Sequence, residues 1–225
     1  MPKLSIVIPV FNEEESLDVL LSELKESLGT ADFSYEIVFV NDGSTDASLE
    51  KLKGYQSRGS GFLKIVNLPQ RQGQTAALKK GLQSAQGDMV VSLDADLQND
   101  PADIPRLLEK MKEGFDVVCG WRKDRSDPSI KKILSKFGNL LQRSISGFNI
   151  HDVSCTLRVY RRECLKDLTL DWEGQHRFIP LILFKKGYKA AEVTTHHRSR
   201  RFGYSKYSHK RIFKVMADFF RVLRS

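Results

Sequence analysis

The length, composition and charge of the chain already exclude several classes of protein. Its 225 residues include 36 Lys and Arg against 28 Asp and Glu, which gives a net charge of +8. Residues 198–225 carry this whole excess, whereas residues 1–197 are balanced in charge. A uniformly basic protein that coats nucleic acid is therefore excluded. A hydrophobic content of 40% excludes intrinsic disorder and suits one or at most two globular domains.

The sequence also lacks targeting and disulfide signals. No run approaches the roughly 18 apolar residues of a membrane span, and the N-terminus lacks the regions of a signal peptide. The three cysteines, Cys119, Cys155 and Cys164, are odd in number and have no CxxC spacing. They predict neither a disulfide framework nor a zinc site. We expect buried cysteines in a protein of the cytosol or of a membrane surface.

Short β-branched runs alternate with helical segments in the first part of the chain. This spacing predicts βαβ units and a mostly parallel sheet covered by helices. The predicted elements are the strand Leu4–Val10, the helix Glu14–Leu28, the strand Tyr35–Val40, the helix Ala47–Arg58, the strand Phe62–Asn67, the helix Thr75–Ala85 and the strand Met89–Leu93. In such sheets, ligands bind beyond the carboxyl ends of the strands.

The pattern changes after Pro101. A polar stretch, residues 121–132, is expected to form a mobile loop over a site, and a helix is expected to follow it as far as about residue 145. The other predicted elements are the helix Ile104–Glu113, the strand Asp116–Gly120, the strand Thr156–Tyr160, the helix Phe178–Lys185, the strand Ala191–His196 and the helix Lys210–Leu223.

Two carboxylates follow directly on the predicted strand Met89–Leu93. Asp94 and Asp96 are one residue apart, and Gln98 adds a neutral oxygen two residues later. Two negative charges this close repel each other unless a cation bridges them, and all-oxygen ligands suit Mg²⁺ or Mn²⁺. The pattern predicts a metal site at the strand end, and its alternative is a solvated turn.

Polar residues after two further strands point to the same crevice. Asp42, after the second strand, can accept hydrogen bonds from the N–H edge of a base, and Glu13, after the first, can hold ribose hydroxyls. The alternatives are a helix-capping turn for Asp42 and first-turn helix electrostatics for Glu13. Neither GxGxxG nor GxxxxGK[ST] occurs, which argues against a dinucleotide oxidoreductase and a P-loop NTPase.

Three of these segments, Ile8–Glu13, Val40–Ser44 and Asp94–Gln98, resemble the signatures of family 2 glycosyltransferases with the GT-A fold. Within that family the chain resembles the dolichol-phosphate mannose synthase group of polyprenyl-phosphate glycosyltransferases. Supporting matches are Gln70–Leu78, Gly120–Arg122, Asp152 ahead of Leu157 and Arg158, Gln175–Pro180 and Arg200–Tyr207. The resemblance implies a GT-A fold, that is, a Rossmann-like, mostly parallel α/β sheet flanked by helices.

The resemblance also implies a nucleotide-diphosphate sugar donor, either GDP-mannose or a UDP-sugar, and inverting transfer of one sugar. The residues expected around the donor are Pro9, Phe11, Glu13, Asp42, Gln74, Asp94 and Arg122. Mg²⁺ or Mn²⁺ is expected on Asp94, Asp96 and Gln98, and Arg122 is expected to reach the diphosphate. A metal ion and an arginine stabilise the negative charge that develops on the departing diphosphate.

The expected acceptor is a polyprenyl phosphate, which is already an anion and needs positive charge rather than a general base. The candidates to bind its phosphate are Arg158, Arg177, Arg200, Ser205 and Lys206. Asp152 completes the expected catalytic set with Asp96 and Arg122, and its alternative is a structural ion pair with Arg158. Thr156 stands where relatives commonly have Gly or Asp, so any role that needs a carboxylate there is in doubt.

The last segment suggests a membrane surface as a partner. Residues 1–207 are the expected catalytic domain, and residues 208–225 alternate large apolar and basic residues, as in an amphipathic helix on anionic lipid. The alternative is a helix packed on the catalytic domain. In many relatives this segment leads into transmembrane helices, so we expect either that such helices are missing here or that a separate membrane subunit replaces them. The expected location is the cytoplasmic face of a membrane.

Three alternative functions remain open from the sequence. A family 2 enzyme can use a glycan or another hydroxyl acceptor, and a non-catalytic relative can bind nucleotide sugars as a membrane adaptor. Nucleic-acid binding through the basic tail is disfavoured, because the tail mixes its charges with large apolar residues.

Overall fold

The computed structural model describes residues 3–29, 33–58, 61–123, 147–202 and 211–224. Its centre is a seven-stranded sheet with the order β3-β2-β1-β4-β6-β5-β7. The strands are β1 (Leu4–Val10), β2 (Tyr35–Asp42), β3 (Leu63–Leu68), β4 (Met89–Ser92), β5 (Val117–Trp121), β6 (Arg158–Arg161) and β7 (Ala190–Thr194).

Most neighbouring strands are parallel, as the alternation of strands and helices predicts. The exception is β6, which runs antiparallel to both β4 and β5. β1 is an interior strand, between β2 and β4, and is buried almost throughout its length because helices cover both faces of the sheet. This arrangement confirms the predicted mostly parallel α/β fold.

The helices lie in two layers. They are α1 (Leu17–Leu28), α2 (Ser48–Ser57), α3 (Gln74–Ser84), α4 (Ile104–Met111), the single turn α5 (Arg162–Leu165), α6 (Ile179–Lys185) and α7 (Arg211–Arg224), with 3-10 turns at Pro101–Asp103 and Gln175–Phe178. One apolar cluster joins α1, α2 and α4 to one face of the sheet. A second cluster joins α3, α6 and α7 to the other face.

Helix α3 approaches the sheet unusually closely. A Cβ atom on Gly81 would lie 2.2 Å from Cγ1 of Val7 and 2.9 Å from Cγ2 of Val40. A residue without a side chain is therefore required for α3 to pack at this distance. This contact brings the N-terminus of α3, with Gln74, towards the carboxyl ends of β1 and β4.

The C-terminal helix α7 packs on the second cluster. Phe219 is 3% exposed and Val222 is fully buried, while Nζ of Lys185 donates to the carbonyls of Val222 and Leu223. The guanidinium of Arg221 lies 4.1 Å from the ring of Trp172. The helix thus shares the core of the domain, which agrees with the packed alternative for this segment. The predicted boundary at residue 207 lies outside the described residues.

Two other expectations concern segments that the structure does not describe. The expected mobile loop is described only as far as residue 123, and the helix expected to end near residue 145 lies outside the described residues. In the described ranges, no helix is long and apolar enough to cross a membrane.

Candidate active site

The strand-end motifs meet at one edge of the sheet. Val10 of β1 pairs in register with Asn41 of β2, and Val7 pairs with Ser92 of β4. The residues that follow these strands therefore emerge side by side. Asn12 and Leu97, one after each of β1 and β4, have positive φ values of 53° and 60°. Non-glycine residues in this conformation are uncommon and cluster at functional sites.

Asp42 shapes the loop that leads into α3. It is 3% exposed, and its Oδ1 accepts from the backbone N–H of Gln72 over 2.7 Å while Oδ2 accepts from that of Gly73 over 3.0 Å. We expected this carboxylate to face the N–H edge of a base or to cap the helix after its own strand. Instead the Asp42 carboxylate holds the loop that precedes α3, because two backbone N–H groups of this loop donate to it.

The side chain of Arg71, from the same loop, covers the aromatic ring after β1. Its guanidinium carbon lies 4.2 Å from the centre of the Phe11 ring. Phe11 is partly buried and Arg71 is exposed. Because β1 and β2 end side by side, the pair lies at the same edge of the sheet as Asp42. Arg71 was not among the predicted site residues. The only sequence signal for Arg71 was its place in the segment Gln70–Leu78, which matches a motif of the family that the chain resembles.

Asp94 is held by neutral hydrogen-bond donors on both carboxylate oxygens. Nε2 of Gln74 donates to Oδ1 over 2.9 Å, and Oγ1 of Thr156 donates to Oδ2 over 2.9 Å. Burial of the carboxyl group, followed by the charge of Asp96, raises the pKa of Asp94 to about 6. One small cavity is lined by Gln74, Asp94 and Thr156 together with Pro9 and Arg158. The structure thus brings Pro9, Gln74 and Asp94 together.

Asp96 is paired with an arginine from the C-terminal part of the domain. Nη2 of Arg200 lies 2.8 Å from Oδ2 of Asp96 and 3.8 Å from Oε1 of Glu13. Arg198 fixes this segment, since its guanidinium reaches Asp100 over 2.6 Å. We expected Arg200 at the acceptor phosphate, and the structure instead places it between two carboxylates of the predicted donor and metal site.

The chemistry of this cluster fits a hard divalent cation. Asp94, Asp96 and the side chain of Gln98 offer only oxygen atoms, the ligands that Mg²⁺ and Mn²⁺ prefer. The backbone N–H of Gln98 donates to Oδ1 of Asp96 over 3.2 Å, so the turn holds the second carboxylate in place. Within the described ranges, no group of three or more His, Cys, Asp or Glu side chains forms a ready metal site. Mg²⁺ in proteins usually keeps several waters and binds substrate oxygens beside one or two carboxylates, and the same is expected of an ion bound here.

Arg122, at the end of β5, forms a two-point ion pair with Asp152. Nε lies 2.7 Å from Oδ2, Nη2 lies 3.0 Å from Oδ1, and Nη2 also donates to Oγ of Ser154 over 2.8 Å. The alternative that Asp152 pairs with Arg158 is therefore wrong. Both oxygens of Asp152 are engaged by the guanidinium, which fixes the plane of the Arg122 side chain.

Arg158, which was predicted to bind the acceptor phosphate, lies inside the protein. Arg158 is 2% exposed, with Nη1 donating to the carbonyl of His176 over 2.8 Å and Nη2 to that of Val153 over 2.6 Å. Nη2 also donates to the carbonyl of Arg177 over 2.9 Å. Because main-chain carbonyls take up these donors, Arg158 stabilises the packing of the 3-10 turn Gln175–Phe178 on the sheet.

The other predicted acceptor residues lie in different places. Arg177 is partly buried beside Gly174, next to Asp218 of α7. Ser205 and Lys206 lie outside the described residues. Among the members of this set that the structure describes, Arg158, Arg177 and Arg200 lie in three different environments.

A second polar cluster adjoins Arg122 and was missed from the sequence. The ring of Trp121 stacks on that of His151 with centroids 4.3 Å apart. Glu192 accepts from the backbone N–H of His151 over 2.8 Å and also contacts its ring Nδ1. No local motif reveals this cluster, because its members lie on three separate segments of the chain.

The comparisons with known sequences agree with the site. The model of glycosyl transferase family 2 matches residues 5–169. A dodecaprenyl-phosphate galacturonate synthase from Rhizobium johnstonii is 37% identical over 225 residues, which cover 98% of this chain and 66% of that protein. An undecaprenyl-phosphate 4-deoxy-4-formamido-L-arabinose transferase from Salmonella paratyphi B is 42% identical over 220 residues, 96% of this chain and 66% of that protein. The chain spans just under two thirds of the length of these relatives.

The comparisons with solved structures agree with the fold. Glucosyl-3-phosphoglycerate synthase from Mycobacterium tuberculosis, in complex with Mn²⁺, uridine diphosphate and glucosyl-3-phosphoglycerate, has a TM-score of 0.75 at 19% identity. This match covers 98% of this chain and 80% of that one. The same enzyme with Mg²⁺ and uridine diphosphate has a TM-score of 0.73 at 19% identity, over 98% of this chain and 79% of that one. Because the family model covers most of the chain and includes the strand-end motifs, the chain belongs to glycosyl transferase family 2, with a GT-A fold.

Proposed function

We propose that this chain transfers one sugar from a nucleotide-diphosphate sugar to a polyprenyl phosphate, with inversion at the anomeric carbon. Two relatives whose alignments cover nearly the whole chain are named as a dodecaprenyl-phosphate galacturonate synthase and an undecaprenyl-phosphate 4-deoxy-4-formamido-L-arabinose transferase. The observation that carries the proposal is the cluster at the end of β4. There Asp94 is held by neutral donors, and Asp96 lies beside a cationic side chain.

In this proposal the donor lies across the ends of β1, β2 and β4. Asp96 and Asp94, with Gln98, would hold Mg²⁺ or Mn²⁺, which supplies positive charge to the departing nucleoside diphosphate. Phe11 and Arg71 form the apolar and cationic wall beside the donor, and Glu13 faces its ribose. Asp42 acts through the backbone of its loop rather than through direct contact with the base.

Arg122 contributes a second positive charge at the diphosphate. Asp152 fixes the guanidinium at two points, so the charge is presented in one direction before the donor arrives. Preorganised charge stabilises a developing anion without reorganisation during the reaction. Asp152 is therefore a positioning residue for Arg122.

A phosphate acceptor suits this site because its oxygen is already charged and needs no general base. Asp152 accepts two hydrogen bonds from Arg122, which disfavours it as a base. One observation favours the second candidate, a hydroxyl acceptor: His151 is contacted by the carboxylate of Glu192, an arrangement that can activate a hydroxyl group.

The two candidates separate in one assay. The protein is incubated with Mn²⁺ and labelled GDP-mannose or UDP-sugars, together with either polyprenyl phosphate or free saccharides. The proposal expects label in the organic phase with the lipid acceptor only. Absence of lipid-linked sugar with every donor tested would refute it, and label on a saccharide would support the hydroxyl acceptor.

We further propose that the protein acts on the cytoplasmic face of a membrane, together with a separate membrane subunit. The support is an apolar pair on the surface: Phe184 of α6 is 38% exposed and Phe220 of α7 is 43% exposed. Arg221 directly follows Phe220 in α7, Arg224 lies about one turn further on, and both arginines are exposed. Aromatic and basic side chains together are typical of binding to anionic lipid.

A further inference from the structure

We propose that Thr156 is a positioning residue that fixes Asp94 for the binding of the metal and donor. The inference rests on the proposed function, because it assumes that Asp94 faces a nucleotide sugar. It assigns a role to a residue that is in none of the predicted sets of site residues. Thr156 lies just before β6, 62 residues after Asp94 in the chain, and its hydroxyl reaches this carboxylate over 2.9 Å.

The direction of the hydrogen bonds around Thr156 is determined by its neighbours. Nδ2 of Asn99 donates to Oγ1 of Thr156 over 3.0 Å, and this amide nitrogen cannot accept. Sγ of Cys155 contacts Oδ1 of Asn99 at 3.7 Å, which supports this orientation of the amide. The hydroxyl proton of Thr156 is thus directed to Asp94.

The backbone of Thr156 is anchored to β4, the strand that ends just before Asp94. Oγ of Ser92 in β4 donates to the carbonyl of Thr156 over 2.6 Å, and Ser92 is 3% exposed. Asn99 is 4% exposed, so the donor behind the hydroxyl is also held inside the protein. The relay from Asn99 through Thr156 to Asp94 is therefore fixed at each of its three members.

The chemical consequence is that Asp94 is held without loss of its charge. Thr156 and Gln74 are neutral and occupy one position on each carboxylate oxygen, whereas an ionised carboxylate has about four acceptor positions. Asp96, by contrast, is paired with the cationic Arg200. Asp94 thus keeps its negative charge and its remaining lone pairs for a cation or for hydroxyl groups of the donor.

The test compares Thr156→Val with Thr156→Ser by isothermal titration of UDP and of GDP in the presence of Mn²⁺. Valine keeps the volume but removes the proton donor, and serine restores it. We expect binding to weaken about 10- to 100-fold in Thr156→Val, as is typical when a group that orients a metal ligand is lost. In Thr156→Ser we expect binding close to that of the wild type. A purely structural role would lower the melting temperature without this difference in binding.

Thr195→Val is the matched control. Thr195 is 5% exposed, and among the described residues its hydroxyl has no hydrogen-bond partner, so the same substitution should leave nucleotide binding unchanged. Asn99→Ala is the second variant. It retains Thr156 but removes the donor that orients the hydroxyl, and we expect it to bind the nucleotides more weakly than the wild type. This variant carries the test if Thr156→Val fails to fold.

The outcomes separate the inference from the proposed function. Equal binding by the wild type and Thr156→Val, or equal losses in Thr156→Val and Thr156→Ser, would overturn the role of the hydroxyl. If Thr156→Val fails to fold, unchanged binding by Asn99→Ala overturns it. A wild-type protein that binds neither nucleotide with Mn²⁺ would overturn the proposed function and the inference with it.

Discussion

The guanidinium of Arg200 donates a hydrogen bond from Nη2 to Oδ2 of Asp96 over 2.8 Å, although the two residues are 104 positions apart in the chain. Arg198 anchors the Arg200 segment to Asp100 and to Glu23 of α1. Asp96 is also the carboxylate proposed to bind a divalent cation. A positively charged side chain and a metal ion would therefore compete for the same oxygen.

Replacing Arg200 by glutamine should strengthen the binding of Mn²⁺ to the nucleotide-free protein. The substitution removes the competing charge, and partly exposed ion pairs contribute up to about 1 kcal/mol, so we expect an increase of about 3- to 5-fold in affinity. The affinity for Mn²⁺ is measured directly from the electron paramagnetic resonance signal of the free ion. The exposed neighbour Arg201, replaced in the same way, is the control. Weaker Mn²⁺ binding in Arg200→Gln would contradict the competition.

Replacing Asp96 by alanine should abolish transfer and the metal-dependent binding of the donor while the fold remains. The substitution removes the proposed main ligand of the cation, and we expect the rate to fall by more than about 100-fold. Transfer assays and circular dichroism test the two parts, with exposed Asp88→Ala as the control. Turnover at the wild-type rate in Asp96→Ala would refute the metal assignment.

Much of this arrangement follows from local sequence signals, and the rest depends on distant contacts. The strands β1, β2 and β4 are runs of apolar, mostly β-branched residues, and the rule that ligands bind at the carboxyl ends of parallel strands locates the crevice. The partner of Asp152 could not be predicted, because Arg122 and Arg158 are both basic residues from neighbouring segments. Only the fold shows that Arg158 is buried against main-chain carbonyls.

The relay to Asp94 is another contact that the sequence does not reveal. In the sequence, Thr156 stands out only through the family resemblance, which implies Gly or Asp at its position. Its hydroxyl reaches Asp94 because β6 runs antiparallel beside β4, with Arg158 in register with Ser92. A pattern of strands and helices predicts a mostly parallel sheet, and it does not predict which later strand inserts next to β4 or in which direction.

The raised pKa of Asp94 predicts a pH-dependent stability of the metal-free protein. Burial raises this pKa from 3.8 to about 6, so ionisation of Asp94 destabilises the folded state relative to the unfolded chain. The protonated carboxyl of Asp94 contributes to the stability of the folded state. This contribution is fully present below about pH 4 and is lost as the pH rises through about 6. Asp94→Asn cannot ionise, and it should be more stable than the wild type at pH 8 by about 1–2 kcal/mol.

Urea unfolding of the metal-free proteins at pH 8 and pH 4 measures this difference. At pH 4 most of the advantage of Asp94→Asn should disappear, because the wild-type carboxyl is then largely protonated in the folded state. The comparison between the two pH values serves as the internal control, since groups remote from Asp94 titrate alike in both proteins. An equal stability of the two proteins at pH 8 would contradict the destabilising effect of the buried charge.

Replacing Asp152 by asparagine should lower the rate of transfer more than the affinity for the donor. The amide keeps the size of the side chain but cannot accept both N–H groups of Arg122, so the guanidinium loses its fixed plane. We expect kcat to fall by about 10- to 100-fold. Steady-state kinetics with the preferred donor measures the effect, and Ser154→Ala, which removes only the third contact of Arg122, should have a smaller one. A loss confined to KM would argue against a role in charge stabilisation.

The exposed pair Phe184 and Phe220 should contribute to binding of anionic membranes. Each side chain is more than a third exposed, and burying part of two aromatic rings in the lipid interface contributes about 1–2 kcal/mol or more. The double variant Phe184→Ser with Phe220→Ser should therefore bind vesicles of phosphatidylcholine and phosphatidylglycerol about tenfold more weakly in a flotation assay. Raised salt should weaken wild-type binding, because basic residues of α7 contribute through electrostatic attraction that salt screens. Neutral phosphatidylcholine vesicles are the control, and undiminished binding of the folded double variant to anionic vesicles would show that the membrane contacts another surface of the protein.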